Sequence, residues 1–331
     1  MTTQASELLR QNAINTWLAQ VLETRDFELV TASNDASFRR YFRVTLADKT
    51  WILMDAPPEQ EDTTDFIKVA TFLFEQGVNV PKIYAQDTDL GLLLLADFGD
   101  TQLLDKLTHA TVIELYHTAI DGIIQLQLTD TSKLDLPYYD AALLQQELSL
   151  FPDWFLQKHL DLAVPDFLAG VDQLLIQSAL AQPTTFVHRD YHSRNLMLID
   201  ADQVGIIDFQ DAVLGPITYD LVSLLRDCYI EWSDEVVSDC LNYYFTQAQS
   251  HGLLDNITLA QFTKWFDFMG LQRHIKVLGI FCRLNYRDNK CNYINDLPLT
   301  LKYTQKISAR YDELAPLYQY LTQQPQIAAI R

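Results

Sequence analysis

Two aspartates and an asparagine lie within one short segment, residues 186–211, which reads FVHRDYHSRNLMLIDADQVGIIDFQD. Asp190 and Asn195 stand in a polar stretch between two apolar runs, and Asp208 follows the second run. A carboxylate can orient a hydroxyl group and take its proton, whereas a second carboxylate and an amide oxygen can hold Mg²⁺. Phosphoryl transfer needs these groups, because the protein there positions the reactants and neutralises phosphate charge. Asp190 is therefore the predicted catalytic base, and Asn195 and Asp208 are the predicted metal ligands.

The spacing of these residues is more specific than their types. The tetrapeptide His188-Arg189-Asp190-Tyr191, followed by Asn195, fits the pattern H-R-D-L-x-x-x-N with a tyrosine in place of the leucine. Asp208-Phe209 stands thirteen residues after the asparagine, in the place of a metal-binding D-F-G aspartate. Each part alone occurs by chance, but the combination is rare. It predicts an enzyme that uses ATP and Mg²⁺.

Three neighbouring polar residues have roles that this chemistry does not fix. His188 and Arg189 are interpreted as structural supports of the loop that carries Asp190. His192 has two interpretations, a residue on the loop surface or a residue of the substrate pocket.

Periodicity places this segment in a larger fold. Amphipathic helices are predicted at Glu7–Leu22 and Thr64–Gln76. Strand-like runs occur at 27–32, 40–46, 51–55, 82–86 and 90–96. Longer helical periods follow at 102–129, 140–161, 166–181, 219–230, 233–251, 258–283 and 298–322. These patterns predict an α+β, two-lobed, protein-kinase-like fold. Residues 1–98 are predicted to form the nucleotide-binding part, a small antiparallel sheet with one helix, which ends in a hinge at 96–99. The larger, mainly helical part at 99–331 is predicted to carry catalysis and substrate binding.

Composition excludes two classes of partner. The 331 residues carry a formal net charge of −20, which repels nucleic acid and anionic lipid. The longest apolar run, Leu90–Ala96, is far too short to span a bilayer, and the N-terminus has no apolar signal segment. The four cysteines lack metal-binding spacing and are expected to be free thiols. We therefore predict a cytoplasmic enzyme, either a monomer or a weak dimer, that binds neither nucleic acid nor membrane.

The chain resembles the aminoglycoside phosphotransferase and choline kinase superfamily over nearly its whole length. Val80-Pro81 is similar to a turn of that superfamily, and Leu92–Gly99 is similar to its hinge. The resemblance implies that the nucleotide contacts Ala96, Asp97 and Phe98.

Later segments extend the resemblance. Gly215-Pro216 followed by Tyr219-Asp220-Leu221 is similar to a superfamily segment in which Asp220 would brace the catalytic loop. Within the superfamily, the match is closest to bacterial cell-wall sugar 1-kinases that act on N-acetylmuramate and N-acetylglucosamine. Three segments carry this match: 35–44 (DASFRRYFRV), 52–62 (ILMDAPPEQED) and 272–290 (QRHIKVLGIFCRLNYRDNK).

The phosphate-binding turn departs from the general kinase pattern. The first glycine of the chain is Gly77, so a glycine-rich loop cannot cover the phosphates. A turn at residues 33–37 would have to serve instead, which makes Ser33, Asn34 and Ser37 candidate nucleotide contacts.

The usual strand-3 lysine is also missing, since Met54 stands in its place. Its glutamate partner falls near Phe66, so both charges are lost together, which avoids a lone buried charge. Arg39 or Arg40 could supply the phosphate-binding cation, and both could equally be solvent-exposed residues at a strand edge.

The resemblance implies that the acceptor binds to the C-terminal part. Sugar recognition needs carboxylates and an aromatic face, for which Glu147, Asp153 and Trp154 are candidates. A muramate carboxylate would require an arginine in the segment 273–290, with Arg283 or Arg287 the predicted choice. A surface salt bridge is an equally good interpretation of each of these charged residues.

Three further functions compete with a cell-wall sugar kinase. A kinase of the same fold could act on an aminoglycoside, choline or a related amine, because a strongly acidic protein suits a cationic acceptor. A nucleotide-binding pseudokinase would explain the absent lysine, but it has no need for all of Asp190, Asn195 and Asp208. A protein kinase is disfavoured because the chain lacks an A-P-E segment.

Overall fold

The computed structural model of the chain describes residues 3–34, 39–200 and 203–330. The strands are β1 (Glu28–Asn34), β2 (Arg40–Leu46), β3 (Lys49–Asp55), β4 (Ile83–Asp87), β5 (Leu92–Ala96), β6 (Thr184–Val187), β7 (Leu196–Asp200), β8 (Gln203–Ile206) and β9 (Val213–Pro216). The helices are α1 (Thr3–Val21), α2 (Thr64–Glu75), α3 (Val112–Gln127), α4 (Ala141–Leu148), α5 (Leu168–Leu180), α6 (Tyr219–Leu225), α7 (Asp234–Ser250), α8 (Leu259–Asp288), α9 (Leu297–Ser308), α10 (Ala315–Gln323) and α11 (Pro325–Ala328). A π-helical segment spans Phe151–His159.

The chain divides into two compact units. The first unit contains Met1–Thr101 and Met197–Asp211, and the second contains Gln102–Leu196 and Ala212–Arg331. The sequence-based prediction of an α+β fold, with an N-terminal antiparallel sheet and a mainly helical C-terminal part, is confirmed.

The first unit is built on an antiparallel sheet with the strand order β1-β2-β3-β5-β4 in the described chain. β2 and β3 pair without interruption from Arg40 opposite Asp55 to Leu46 opposite Lys49. Side chains alternate between the two faces of a strand, so one face collects the apolar residues that α1 covers. This core contains Ile14, Trp17, Leu18, Val44, Leu53, Leu92 and Leu94.

The second unit is organised around α8, a helix of 30 residues that is buried along most of its length. Gly279 allows a close approach on one side, because an added Cβ would lie 2.3 Å from the Leu150 carbonyl oxygen. The middle of α8 also buries polar groups, which is unusual for a core helix. These are Gln272, Arg273, His274 and Lys276.

Three predicted helices are shorter than expected or interrupted. The period at 102–129 yields an α-helix only from Val112. The period at 140–161 becomes α4 followed by the π-helical segment, which has Pro152 in its first turn. The period at 298–322 is divided into α9 and α10, and the second begins with Pro316 in its first turn. Proline has no backbone N–H, so it favours a new helix start over continuation.

Within the described ranges, every helix is too short or too polar to span a membrane.

Candidate active site

A buried carboxylate from α6 holds the catalytic loop, residues 188–195, which connects β6 to β7. Asp220 accepts hydrogen bonds from the backbone N–H groups of His188 (2.7 Å) and Arg189 (3.0 Å). Burial raises the pKa of Asp220 to about 7, although both hydrogen bonds favour its ionised form. Arg189 has a φ of 75°, a conformation that costs an L-residue about 1–2 kcal/mol. The hydrogen bond from the backbone N–H of Arg189 to Asp220 stabilises this turn of the catalytic loop.

Two further anchors fix the loop. The Tyr191 hydroxyl, in a buried side chain, donates to the carbonyl of Ala119 at 2.7 Å. The Ser193 N–H (3.0 Å) and hydroxyl (2.5 Å) both donate to Asp227. The sequence analysis missed Asp227, because no motif marks an aspartate that acts 34 positions away. The tyrosine that replaces the usual leucine thus adds a hydrogen bond to the core.

Basic residues lie around Asp190. Burial disfavours its ionised form, but Lys276, His192, Arg273 and His188 outweigh burial and lower its pKa. Its backbone N–H donates to Nδ1 of His188 at 3.2 Å. Asp190 is therefore an ionised carboxylate at neutral pH, ready to accept a hydrogen bond from a hydroxyl group.

A buried network supports this arrangement from α4 and α8. Glu147 accepts from Arg189 of the loop at 2.5 Å and forms an ion pair with Lys276 at 2.9 Å. The Tyr139 hydroxyl donates to the same carboxylate. Burial opposes ionisation of Glu147, but the two cations outweigh it and lower its pKa. The structure therefore directs Glu147 at the catalytic loop, so that a contact with a sugar would compete with these three partners.

Asn195 closes the loop. Its side-chain nitrogen donates to the carbonyl of Asp190 at 3.0 Å, so the amide oxygen points to the opposite side. His192 lies 3.5 Å from that nitrogen and packs edge-on against Tyr229. His192 is partly buried, and burial, with smaller effects of Arg273 and Arg194, lowers its pKa. Both interpretations of His192, a residue of the loop surface and a residue of the substrate pocket, stay open.

Asp208 belongs to the first unit, where it follows β8. Its φ of 67° is left-handed, and its carboxylate accepts from the Gln210 side chain at 2.8 Å. The adjacent Phe209 is buried and lies 5.0 Å, ring centroid to centroid, from Phe66 on α2. An aromatic contact thus holds the strained turn that presents this carboxylate.

The predicted hinge residues follow β5. Ala96 ends that strand, and Asp97 accepts two hydrogen bonds from Arg43, at 2.6 and 3.0 Å. Burial opposes ionisation of Asp97, but Arg43 outweighs it and lowers its pKa. Phe98 packs on Gly205, where an added Cβ would lie 2.4 Å from its ring. The sequence analysis missed Arg43, which fixes the hinge to β2.

The two candidate phosphate-binding arginines differ in their partners. Arg40 donates to Asp55 at 2.9 and 2.5 Å, and Arg10 of α1 donates to the other oxygen of the same carboxylate. Arg39 lies 3.5 Å from Glu61, a longer and weaker contact. Arg40 is therefore held tightly in a triad with Arg10 and the buried carboxylate of Asp55.

The candidate turn residues are only partly within the described chain. Ser33 and Asn34 end β1, where the backbone pairs with Tyr41 and Arg40 after a register shift. Ser37 lies outside the described residues.

The candidate sugar contacts lie in the second unit. Asp153 is exposed on the π-helical segment, and Trp154 beside it packs partly against the core. Arg287 is exposed and binds its neighbour Asp288 at 2.7 and 2.9 Å. Arg283 is half-buried, and burial together with Arg287 lowers its pKa. Their contact with an acceptor stays a prediction.

Comparisons with known proteins show which proteins this chain is similar to. The model of a phosphotransferase enzyme family matches residues 28–253. An N-acetylmuramate/N-acetylglucosamine kinase of Pseudomonas aeruginosa is 43% identical, over 97% of this chain and 98% of that protein. One of Neisseria meningitidis is 43% identical, over 95% of this chain and 96% of that protein.

Solved structures share the fold. A choline/ethanolamine kinase family protein of Mesorhizobium loti has a TM-score of 0.62 at 13% identity, covering 96% of this chain and 97% of that one. The ADP-bound aminoglycoside phosphotransferase APH(2'')-Ib has a TM-score of 0.57 at 14% identity, covering 93% and 99%. The family match spans the catalytic loop, Asp208 and most of both units, and the chain therefore belongs to the phosphotransferase enzyme family.

Proposed function

We propose that this protein is an ATP-dependent sugar kinase that phosphorylates the anomeric hydroxyl of N-acetylmuramate and N-acetylglucosamine in peptidoglycan recycling. The observation that carries the proposal is the similarity to relatives of that name, which reaches 43% identity over 97% of the chain. The reaction consumes ATP, a cytoplasmic metabolite, and we place it in the cytoplasm. Its partner is a small-molecule sugar, and the protein acts as a monomer or a weak dimer.

Asp190 is the proposed base. Burial opposes its ionisation, but Lys276, Arg273 and the neighbouring histidines lower its pKa, so that it is ionised and can accept a hydrogen bond from the acceptor hydroxyl. The transition state of phosphoryl transfer is loose, and the hydroxyl loses its proton late. A carboxylate of low proton affinity suits this role, because its main task is to orient the nucleophile. His188, Arg189 and Asp220 position Asp190 through the loop backbone.

Asn195 and Asp208 are the proposed ligands of Mg²⁺. An amide oxygen and a carboxylate form the oxygen donor set that this ion prefers. The hydrogen bond from Asn195 to the Asp190 carbonyl leaves the amide oxygen on the opposite side. When bound, Mg²⁺ would neutralise the charge of the ATP phosphates.

The nucleotide contacts rest on the sequence pattern. Ala96, Asp97 and Phe98 are proposed to contact the base, and the turn with Ser33, Asn34 and Ser37 to contact the phosphates. Arg39 or Arg40 is proposed as the phosphate-binding cation. On the acceptor side, the proposed contacts are His192, Glu147, Asp153, Trp154, Arg283 and Arg287.

A coupled assay of ADP release tests the proposal. We expect turnover with N-acetylmuramate and N-acetylglucosamine, and little or none with choline or a kanamycin-type amine. Asp190→Asn should lower kcat more than tenfold without changing the fold, because an amide cannot accept the proton. Asp312→Asn, the same change at an exposed carboxylate, is the control.

Two results would contradict these assignments. An amine that outcompetes both sugars would establish a kinase of a different acceptor. An Asp190→Asn variant that keeps more than about a tenth of kcat would show that Asp190 is not the base.

A further inference from the structure

Two cations one turn apart on α8, Arg273 and Lys276, are both buried. The charge of Lys276 is matched by Glu147, 2.9 Å away, and its ammonium donates to the Tyr219 hydroxyl at 3.0 Å. Arg273 is different. Within the described chain, its side chain makes one hydrogen bond, from Nη1 to the sulfur of Cys228 at 3.5 Å. Among residues 3–34, 39–200 and 203–330, no carboxylate lies within ion-pair distance of its guanidinium.

A buried cation without a carboxylate partner is costly. The thiol does not offset this cost, because burial raises the pKa of Cys228 and keeps it neutral. Arg273 itself is only 5% exposed, which leaves little room for hydration. A charge retained under these conditions indicates a ligand that the guanidinium binds.

The surroundings of Arg273 place it beside the catalytic loop. Its neighbour on α8, Lys276, shares Glu147 with Arg189, the residue before Asp190. Its own partner Cys228 follows Asp227, which binds Ser193, three residues after Asp190. Asp190 and Asp227 also attract the Arg273 guanidinium electrostatically over a longer range. Burial opposes the charge of Arg273, whereas the longer-range attraction of these two carboxylates favours it and helps to raise its pKa.

We propose that Arg273 binds the carboxylate of the acceptor and thereby sets the preference for N-acetylmuramate over N-acetylglucosamine, an inference that rests on the proposed sugar kinase activity. The two sugars differ in the lactyl ether, which carries a carboxylate in muramate alone. The planar guanidinium can bind a carboxylate through two parallel hydrogen bonds. The more distant carboxylates of Asp190 and Asp227 compensate part of the charge of Arg273, so N-acetylglucosamine, which has no carboxylate, can also bind.

Arg283 and Arg287 are the alternatives that the sequence suggested. Arg287 is exposed and paired with Asp288, so a carboxylate would have to displace that partner in water. Arg283 is half-buried, and within the described part of the chain no hydrogen bond or ion pair joins it to the network around Asp190. Arg273 has both the burial and the position that selective binding needs.

The test is kcat/KM for both sugars with Arg273→Gln and Arg273→Lys. A charge-assisted hydrogen bond supports a preference of about ten- to a hundredfold. We expect Arg273→Gln to lower the ratio of kcat/KM for muramate to that for glucosamine by that factor, and Arg273→Lys to restore part of it. Lys264→Ala removes an exposed cation from the same helix, paired with Glu313, and should leave the ratio within about twofold.

A second measurement uses the unmodified protein, in case the buried variants fold poorly. N-acetylmuramate with its carboxylate converted to an amide should lose the same factor in kcat/KM relative to the acid. Equal turnover of amide and acid would refute the inference, as would equal losses on both sugars in Arg273→Gln. A selective loss in Arg283→Ala or Arg287→Ala instead would assign the carboxylate to that residue. Failure of the unmodified protein with both sugars would refute the proposed function itself, a result separate from any change in ratio.

Discussion

A histidine in the middle of α8 should make the stability of this protein depend on pH. His274 is fully buried, and its ring stacks on Tyr303 with the centroids 4.8 Å apart. Its Nε2 lies 3.1 Å from the carbonyl of Arg226, which requires a proton on that nitrogen. Burial, with added repulsion from Arg273 and Arg226, lowers the pKa of His274 to about 3. The folded protein therefore holds a neutral imidazole.

The sign of the effect follows from the two states. In the unfolded chain, His274 has its ordinary pKa of 6.5. Above that pH the imidazole is neutral in both states, and the full stability is present. As the pH falls, the His274 imidazole becomes protonated in the unfolded chain but stays neutral in the folded protein, and stability is lost until the pH nears 3. Each pH unit below 6.5 is worth about 1.4 kcal/mol, so His274 should remove about 2 kcal/mol between pH 7 and pH 5.

Urea unfolding at pH 7, 6 and 5 measures this effect. His274→Gln keeps a donor for the Arg226 carbonyl but does not titrate. All other histidines are common to both proteins, so the difference between their unfolding free energies isolates this one. We expect the original protein to lose about 2 kcal/mol more than the variant between pH 7 and pH 5. Parallel pH profiles would refute a neutral, buried His274.

Two further predictions concern the first unit. Asp208→Ala should abolish the part of the ATP-induced rise in Tm that depends on Mg²⁺, since a ligand stabilises only the state that binds it. If Mg·ATP raises the Tm of the variant as much as that of the original protein, Asp208 is not a metal ligand. Asp211→Asn is the control at an exposed carboxylate. Arg39→Ala should raise KM for ATP and lower kcat, whereas Arg40→Ala should mainly lower stability through the loss of a partner for Asp55; if both leave the ATP kinetics unchanged, backbone amides and Mg²⁺ alone hold the phosphates.

The sequence predicted local elements well where period and end signals agree. β2 has the predicted bounds, 40–46, and α2 differs from its prediction by one residue. Alternating apolar residues and the glycine after the helix are sufficient for such elements. The divided helices at 140–161 and 298–322 were missed, although Pro152 and Pro316 mark new helix starts.

The candidate site was predictable only where it lies in one short segment. Asp190 and its loop follow from spacing alone. The ion pair of Glu147 with Lys276 joins residues 129 positions apart, and Arg43 reaches Asp97 from 54 positions away. Packing sets these contacts, and a single sequence has no periodic signal for them. For the same reason, the sequence indicated the segment 273–290 and favoured Arg283 or Arg287, whereas the burial on which the proposal for Arg273 rests is seen only in the structure.

The alternation of side chains along β3 decides whether Arg40 can take the place of the missing strand-3 lysine. Met54 and Asp55 are neighbours in that strand, so they face opposite sides of the sheet. Arg40 stands opposite Asp55 in the register and therefore shares its face, where Arg10 of α1 completes the triad. On the face of the sheet that carries Met54, the lysine is absent and Arg40 does not replace it. Arg40 consequently cannot act from the position of the missing lysine, and Arg39, which lies 3.5 Å from Glu61, is the arginine whose replacement should weaken ATP binding.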